Sequence, residues 1–198
     1  MNKKMILVTS PPACGKTYIS KKLAEELRHV VYLDKDTLIV LSNQIFKVAG
    51  EENNRSSEFF EKNIRDYEYE AILAIGLEAL KYDDIVLINA PFTREIRDKA
   101  YIDALRKRVG EYNARLTVVW VETDPETCHE RMIKRNSPRD TWKLENWDEY
   151  IKTVNFSIPT PLDDPNIKDD LLIFKNSTDK EFDESLKRVT AIIEERDV

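Results

Sequence analysis

Glycine and cysteine are both scarce in this sequence. Among its 198 residues there are four glycines and two cysteines, Cys14 and Cys128. Two cysteines so far apart are too few for a disulfide framework or for a structural zinc site. With so little glycine, most turns must be made by Asn, Asp, Ser and Pro.

The sequence also lacks a long apolar run and an excess of positive charge. No segment approaches the ~18 apolar residues of a membrane span, and the residues after Met1 do not form a secretory signal. We therefore expect a cytoplasmic protein without a membrane partner. The formal net charge of −6 argues against general nucleic-acid binding by bulk electrostatics. The length predicts one domain, 1–198.

The most informative segment begins with the apolar run Met5–Val8 and ends in an amphipathic helical pattern. Between them lies a loop of small residues. A strand, a loop that ends in Gly-Lys-Thr and a helix form the layout of a phosphate-binding loop, because loop amides and the helix dipole favour an anion there. The predicted nucleotide-binding residues of this loop are Pro12, Ala13, Cys14, Gly15, Lys16 and Thr17.

The side chains of the loop suggest individual roles. Lys16 is expected to reach the β- and γ-phosphates, and the Thr17 hydroxyl is expected to ligate magnesium. The pattern has one departure, because Ser10 stands where a glycine usually provides backbone freedom. The competing interpretation is a tight strand-to-helix turn. It leaves unexplained why a lysine lies at a helix N-terminus, where the dipole disfavours a cation without an anion.

Four further apolar runs have the character of buried strands. They alternate with helical patterns, which is typical of a parallel sheet covered by helices on both faces. The sequence therefore predicts an α/β fold with a five-stranded parallel sheet and a ligand site at the carboxyl ends of the strands. The four runs are Val30–Leu33, Ile85–Ile88, Leu116–Val121 and Leu171–Phe174.

Acidic residues follow the second of the five runs. Asp34 and Asp36 lie at its carboxyl end, beside the predicted phosphate site. Asp36 is therefore a candidate general base and magnesium partner, and Asp34 is a candidate contact for the acceptor molecule. The alternative is that Asp36 only caps the next helix, at about 37–48.

The following segments contain further candidates for binding the acceptor. A helix predicted over 58–82 has apolar residues at steps of three and four, among them Tyr67 and Ile75. It carries Arg65, for which a solvated surface position is the simpler alternative. The predicted acceptor contacts beyond Asp34 are Arg65, Asn89 and Arg94. Asn89 ends the third strand, where many nucleoside triphosphatases carry an acid that holds magnesium.

A basic segment follows the fourth strand. Its helix carries Arg131 and Arg135 on one face, and Arg139 lies just beyond the helix. We predict a small helical lid at about 131–155 whose arginines stabilise the charge of the transferring phosphoryl group. The alternative is a solvated basic face. Asn176 follows the fifth strand, near the expected position of the nucleotide base.

Together these motifs resemble the small P-loop kinases, a group that includes shikimate, gluconate, chloramphenicol and polynucleotide 5′-hydroxyl kinases and zeta-toxin-like enzymes. Such chains are often called AAA-type ATP-binding proteins. The resemblance implies the P-loop NTPase fold, with ATP and Mg²⁺ as cofactors. It also implies that Asp36 acts as base or magnesium partner. It further implies that Arg131 lies against adenine and that Arg135 or Arg139 reaches the phosphates.

The sequence therefore predicts a kinase that transfers the γ-phosphoryl group of ATP to a hydroxyl of a small-molecule acceptor. Lys16, Asp36 and Arg135 are the predicted catalytic residues, and Thr17 and Asp36 the predicted metal contacts. A competing class is a regulatory nucleotide-binding NTPase without kinase turnover, which the uncharged Asn89 favours. A third class, a nucleic-acid 5′-end kinase, would need a basic groove beside Asp36.

Overall fold

Five parallel strands form the centre of the structure, a computed structural model that describes residues 3–137, 140–162 and 170–195. Each strand contains one of the predicted apolar runs, so the predicted five-stranded parallel sheet is confirmed. The strands are β1 Lys3–Thr9, β2 Val30–Asp34, β3 Ile85–Asn89, β4 Ala114–Glu122 and β5 Leu171–Lys175. Their order in the sheet is β2-β3-β1-β4-β5.

Helices cover both faces of this sheet, as predicted. Leu73 and Leu105 pack in one core, and Leu23 and Val189 pack in the core on the opposite face. Burying each such side chain contributes about 1.5–3 kcal/mol. The helices are α1 Lys16–Glu26, α2 Ile39–Ala49, α3 Glu58–Asn63, α4 Arg65–Ala79, α5 Lys99–Gly110, α6 Pro125–Arg135, α7 Thr141–Glu145, α8 Trp147–Thr153 and α9 Asp179–Ile193. None of the helices in the described ranges is long and apolar enough to cross a membrane.

The strand register brings three polar positions together at the carboxyl edge. Asn89 of β3 is the partner of Val8 in β1 on one side and of Asp34 in β2 on the other. Strand β1 ends at Thr9, one residue after Val8, and the phosphate loop follows it. The end of β3 therefore lies between this loop and the acidic residues that follow β2.

The prediction of one continuous helix over 58–82 is wrong. The segment is divided at Ile64, where φ is −128° and ψ is −49°, and α4 begins at the next residue. The inward-facing positions also differ from those predicted, because Tyr67 and Ile75 are 71% and 46% exposed. The buried face of α4 is instead formed by Glu68, Tyr69, Ile72, Leu73, Gly76 and Leu77.

A short 3-10 turn, Lys35–Leu38, separates β2 from α2. The carboxylate of Asp34 caps this turn by accepting the backbone N–H of Asp36 at 3.0 Å. The alternative interpretation had Asp36 as the cap of the next helix. That helix, α2, begins after Leu38 without a side-chain cap, and Asp34 caps the preceding 3-10 turn. The carboxylate of Asp36 is therefore not used by capping.

A buried carboxylate joins the turn after β2 to α2 and α4. Glu68 is 5% exposed. It accepts hydrogen bonds from Lys35 at 3.0 Å, from both terminal nitrogens of Arg55 at 2.8 and 2.6 Å, and from Ser42. Burial alone would raise the pKa of Glu68, but the hydrogen bonds from these three residues outweigh burial and lower the pKa to about 2.

We expect Glu68→Gln to destabilise the protein by about 3 kcal/mol at pH 7, because a buried ion pair loses one partner. The lowered pKa of Glu68 gives stability that is present above about pH 4.5 and is lost as the pH falls towards about 2. Urea unfolding across this range should therefore show a weaker pH dependence in the variant. Glu70→Gln, which removes an exposed partner of Arg108, is the control and should cost less than about 1 kcal/mol. A variant as stable as wild type would contradict the prediction.

Candidate active site

The loop between β1 and α1 passes twice through left-handed backbone. The φ angles are +64° at Ala13 and +88° at Gly15, directly before α1. Ser10 does not have a positive φ, and its buried hydroxyl donates to the Pro11 carbonyl at 2.8 Å. Because only left-handed backbone demands glycine, serine at the first position of the loop imposes no backbone strain.

The backbone carbonyl of Cys14 anchors the loop to its surroundings. It accepts hydrogen bonds from the Thr123 hydroxyl at 3.1 Å, from Asn176 Nδ2 at 2.7 Å and from Arg131 Nη1 at 3.5 Å. The buried thiols of Cys14 and Cys128 also lie in contact, with their Sγ atoms 3.3 Å apart. The hydrogen bond to Cys128 and burial raise the pKa of the Cys14 thiol, which keeps it neutral. Two predicted nucleotide contacts, Arg131 and Asn176, thus hold the loop backbone in this structure.

We expect Gly15→Ala to weaken ATP binding at least about tenfold, because a Cβ there would lie 2.6 Å from Asn176 Nδ2 on left-handed backbone, and such strain costs of order 1–3 kcal/mol. Calorimetric titration with ATP measures the effect. Gly110→Ala is the matched control, because a Cβ there meets nothing within 4 Å. The expectation fails if Gly15→Ala binds ATP like the wild type.

Asn89, at the end of β3, lies at the centre of the site and is 1% exposed. Its Oδ1 accepts hydrogen bonds from Lys16 Nζ at 2.6 Å and from Ser20 Oγ at 3.4 Å. Its Nδ2 donates to Asp34 Oδ2 at 2.8 Å and lies 3.3 Å from Thr17 Oγ1. A single neutral amide therefore links the lysine and threonine of the phosphate loop to the carboxylate after β2.

The two aspartates after β2 have different contacts. Asp34 Oδ2 also accepts a hydrogen bond from the Tyr32 hydroxyl at 3.0 Å. Burial and the charge of Asp34 raise the pKa of Tyr32, so its hydroxyl stays protonated and can donate. The Asp36 side chain is 61% exposed, with Oδ1 3.4 Å from Lys35 Nζ. The structure therefore brings Asp34, rather than Asp36, into contact with Asn89, and it leaves Asp36 open to solvent.

The two arginines predicted to contact the acceptor are each bound to a glutamate. Arg65 Nη2 lies 2.6 Å from Glu95 Oε1, and the guanidinium lies over the ring of Tyr69 at 4.6 Å. Arg94 binds Glu61 through both terminal nitrogens, at 2.8 and 3.1 Å. The Arg65 side chain is mostly buried, and that of Arg94 is exposed.

The region predicted as the lid, about 131–155, begins within α6 and includes α7 and α8. Arg135 donates to the buried carboxylate of Asp140 through Nε at 2.8 Å and through Nη2 at 2.5 Å. Trp147 of α8 stacks on His129 of α6, with ring centroids 4.0 Å apart. The predicted contact Arg139 lies outside the described residues. Arg135, which was predicted to be catalytic, is thus held in an ion pair with Asp140 in the structure.

A cavity of about 310 Å³ lies beside the phosphate loop, at the carboxyl ends of β4 and β5. Pro11, Trp120, Phe156 and Ser177 contribute to its walls. Neither Lys16 nor Asp34 lines it. The cavity therefore flanks the loop on the side away from Asn89.

The groups around Asn89 fit a magnesium ion. The Thr17 hydroxyl and the Asp34 carboxylate both lie within 3.3 Å of Asn89 Nδ2, and Mg²⁺ prefers such oxygen ligands alongside water and phosphate. The described residues contain no group of three or more His, Cys, Asp or Glu that could hold a metal by themselves. A metal here would therefore depend on the nucleotide for further ligands.

Sequence reasoning missed two neighbours of this site, although spacing carried a signal for both. Tyr32 lies two residues before Asp34 and so shares its face of β2. Ser20 lies four residues after Lys16 and so shares its face of α1. In the structure Tyr32 donates to Asp34, and Ser20 donates to Asn89.

The chain matches a protein-family model and several solved structures. A family model described as an AAA domain (AAA_33) matches residues 5–156, which is more than half of the chain. No curated protein sequence gives a significant match.

Several solved structures share the fold along nearly the whole chain. A protein from Chloroflexus aurantiacus considered a kinase is 18% identical, with a TM-score of 0.64 and coverage of 99% of this chain and 98% of that chain. A gluconokinase from Sinorhizobium meliloti is 17% identical, with a TM-score of 0.53 and coverage of 98% and 97%. A shikimate kinase from Bacteroides thetaiotaomicron is 14% identical, with a TM-score of 0.53 and coverage of 97% and 98%. The chain therefore belongs to the AAA domain family and has the α/β fold of the small P-loop kinases.

Proposed function

We propose that this protein is an ATP-dependent phosphotransferase that moves the γ-phosphoryl group to a hydroxyl of a small-molecule acceptor. P-loop kinases generally use ATP and Mg²⁺. The observation that carries the proposal is the amide of Asn89, which connects Lys16 and Thr17 to Asp34. A nucleotide-binding NTPase would also use one such carboxylate to hold a metal. A transfer site must in addition orient a hydroxyl, and the second carboxylate after β2, that of Asp36, is available for this.

In this proposal the triphosphate lies on the loop amides of 12–17 and at the N-terminus of α1. Lys16 binds the β- and γ-phosphates. In the structure its ammonium group is held in position by the side chain of Asn89. Thr17 and Asp34 hold Mg²⁺, so the metal contact predicted for Asp36 is assigned to Asp34. When bound, the metal neutralises charge on the phosphates. The nucleotide contacts proposed on the β4–β5 side are Arg131 and Asn176. Arg139, which lies outside the described residues, is proposed as a further contact from the sequence alone.

Asp36 is the proposed general base. Its carboxylate is exposed, and its backbone N–H is tied to Asp34, so the two carboxylates are held in a defined relation. A hydroxyl of the acceptor donates a hydrogen bond to Asp36, and this carboxylate takes its proton as the new phosphate ester forms. The acceptor therefore lies over the ends of β2 and β3.

The proposed lid is the region of about 131–155 within a single domain, 1–198. Closure would bring Arg135 to the transferring phosphoryl group, where its charge stabilises the transition state. Arg135 would then exchange Asp140 for phosphate oxygens. In the structure this guanidinium is held by the ion pair with Asp140.

A second candidate function is a nucleotide-binding regulatory NTPase without an acceptor. The observation that favours it is the neutral Asn89 at the end of β3, where an acid would strengthen metal binding. An assay of ADP release from ATP separates the two functions. Release that depends on an added hydroxyl compound supports the kinase, whereas slow release that no compound accelerates overturns it in favour of the NTPase.

A further inference from the structure

The cations beside the proposed acceptor position are already neutralised by carboxylates of the same chain. Arg94 and Glu61 form a two-bond pair on the surface, and Arg65 is shared between Glu95 and Asp66, at 2.6 and 2.8 Å. These arginines were the positive groups that the sequence offered to an acceptor. A negatively charged acceptor would have to compete with these carboxylates to use either of them.

A second set of charges lies in the segments next to Asp36. Lys35 and Arg55 share Glu68, and Lys35 Nζ also lies 3.4 Å from Asp36. Lys35 is 4% exposed. Its ammonium group is therefore buried in ion pairs with Glu68 and Asp36 and is not exposed for binding a ligand.

Two carboxylates of these networks, Glu61 and Glu68, have lowered pKa values and so remain ionised at neutral pH. The hydrogen bond from Arg94 lowers the pKa of Glu61, and the pKa of Glu68 is about 2. We define the acceptor-side charge network as these ion-paired residues together with Asp36. Asp34 is left out, because the proposed function assigns its charge to the metal. Five carboxylates then face four cations. The carboxylates are Asp36, Glu61, Asp66, Glu68 and Glu95, and the cations are Lys35, Arg55, Arg65 and Arg94.

From this balance we infer that the acceptor is an uncharged or positively charged hydroxyl compound, such as a neutral sugar, a nucleoside or an amino sugar, and not a hydroxy acid or a phosphate ester. The inference rests on the proposed function, because it concerns the acceptor of that reaction. The negative network, together with the bound triphosphate, repels an anion, and no described cation of the network is left to compensate. The same network disfavours a nucleic-acid 5′ end, which would need a basic groove beside Asp36.

The test compares acceptors that differ in charge and share a carbon skeleton. Glucose, glucosamine and gluconate form one set, and adenosine and AMP form another. ADP release is measured with ATP and Mg²⁺ for each compound. We expect kcat/KM for the best neutral or cationic compound to exceed that of its anionic counterpart at least about tenfold, which corresponds to about 1.4 kcal/mol. An anionic compound that is the better substrate of its set overturns the inference and leaves the kinase function intact.

A pair of variants tests the physical cause. Glu61→Gln releases Arg94 on the exposed surface and should raise kcat/KM for the anionic compounds about fivefold relative to their neutral counterparts. Glu70→Gln releases Arg108 from a pair of the same two-bond geometry, at 2.6 and 3.0 Å, between α4 and α5. This control should leave the ratio unchanged. If the ratio of kcat/KM between anionic and neutral compounds is the same in Glu61→Gln and Glu70→Gln, the charge network is not the cause of the preference. No ADP release with any compound overturns the proposed function itself.

Discussion

Lys16→Ala is expected to raise the dissociation constant for ATP at least ~100-fold and to lower phosphoryl transfer at least ~1000-fold. Lys16 is the side chain at the start of α1 that the fold directs towards Asn89, with Nζ 2.6 Å from its Oδ1. Charge-assisted hydrogen bonds to phosphate are about twice as strong as neutral ones, and alanine removes all of them. Equilibrium titration with ATP and a single-turnover assay measure the two effects separately.

The control for this prediction is Lys22→Ala, on the exposed side of the same helix. Lys22 forms a surface pair with Glu25 at 2.7 Å, and such exposed pairs contribute little because solvent screens them. Its removal should leave ATP binding unchanged. If Lys16→Ala retained wild-type ATP affinity, the loop after β1 would not be the phosphate site. Both the kinase and the regulatory NTPase interpretation would then be wrong.

The sequence was sufficient to predict the sheet and the position of the phosphate loop. Short apolar runs rich in β-branched residues, separated by helical patterns, leave few arrangements other than a parallel sheet. The carboxyl edge of such a sheet then collects the residues that follow each strand. This is why Asp34 and Asn89 were predicted to lie near the loop, and the register places them as direct partners across β2 and β3.

The sequence was not sufficient to predict the break between α3 and α4. Neither proline nor glycine marks Ile64, and the period of three and four residues continues across it. The division is instead associated with tertiary packing, because Ile64 is buried with Phe46 and Phe60 in a separate small core. A period of three and four residues also leaves more than one choice of buried face, and the choice made from the sequence placed Tyr67 and Ile75 inward, whereas the structure exposes them.

The ionic partners of Arg65 and Arg94 could not be predicted from the sequence either. Arg65 pairs with Glu95 and Arg94 pairs with Glu61, thirty and thirty-three residues away. Charge spacing along one helix predicts only pairs three or four residues apart. Arginines that were natural candidates for binding an acceptor therefore turned out to hold the protein's own carboxylates, and this changes the expected charge of the acceptor.

The roles of the two aspartates after β2 can be separated by experiment. Asp34→Asn should weaken the Mg²⁺-dependent part of ATP binding about tenfold or more, because the carboxylate next to Thr17 and Asn89 is lost. ATP binding without Mg²⁺ should change little. Equilibrium titration of ATP at several Mg²⁺ concentrations measures the difference. An unchanged Mg²⁺ dependence would exclude Asp34 as the metal partner and return that assignment to Asp36.

Asp36→Asn should have the opposite effect, with ATP and Mg²⁺ binding close to wild type and transfer reduced about 100-fold or more, as expected on removing a general base. Asp103→Asn, at an exposed aspartate paired with Lys99 on α5, is the control. The capping bond between Asp34 and the backbone of Asp36 remains in Asp36→Asn, so the turn keeps its shape. A loss of transfer there reports on the chemistry of the exposed carboxylate. Full transfer by this variant would show that the acceptor hydroxyl loses its proton to another group.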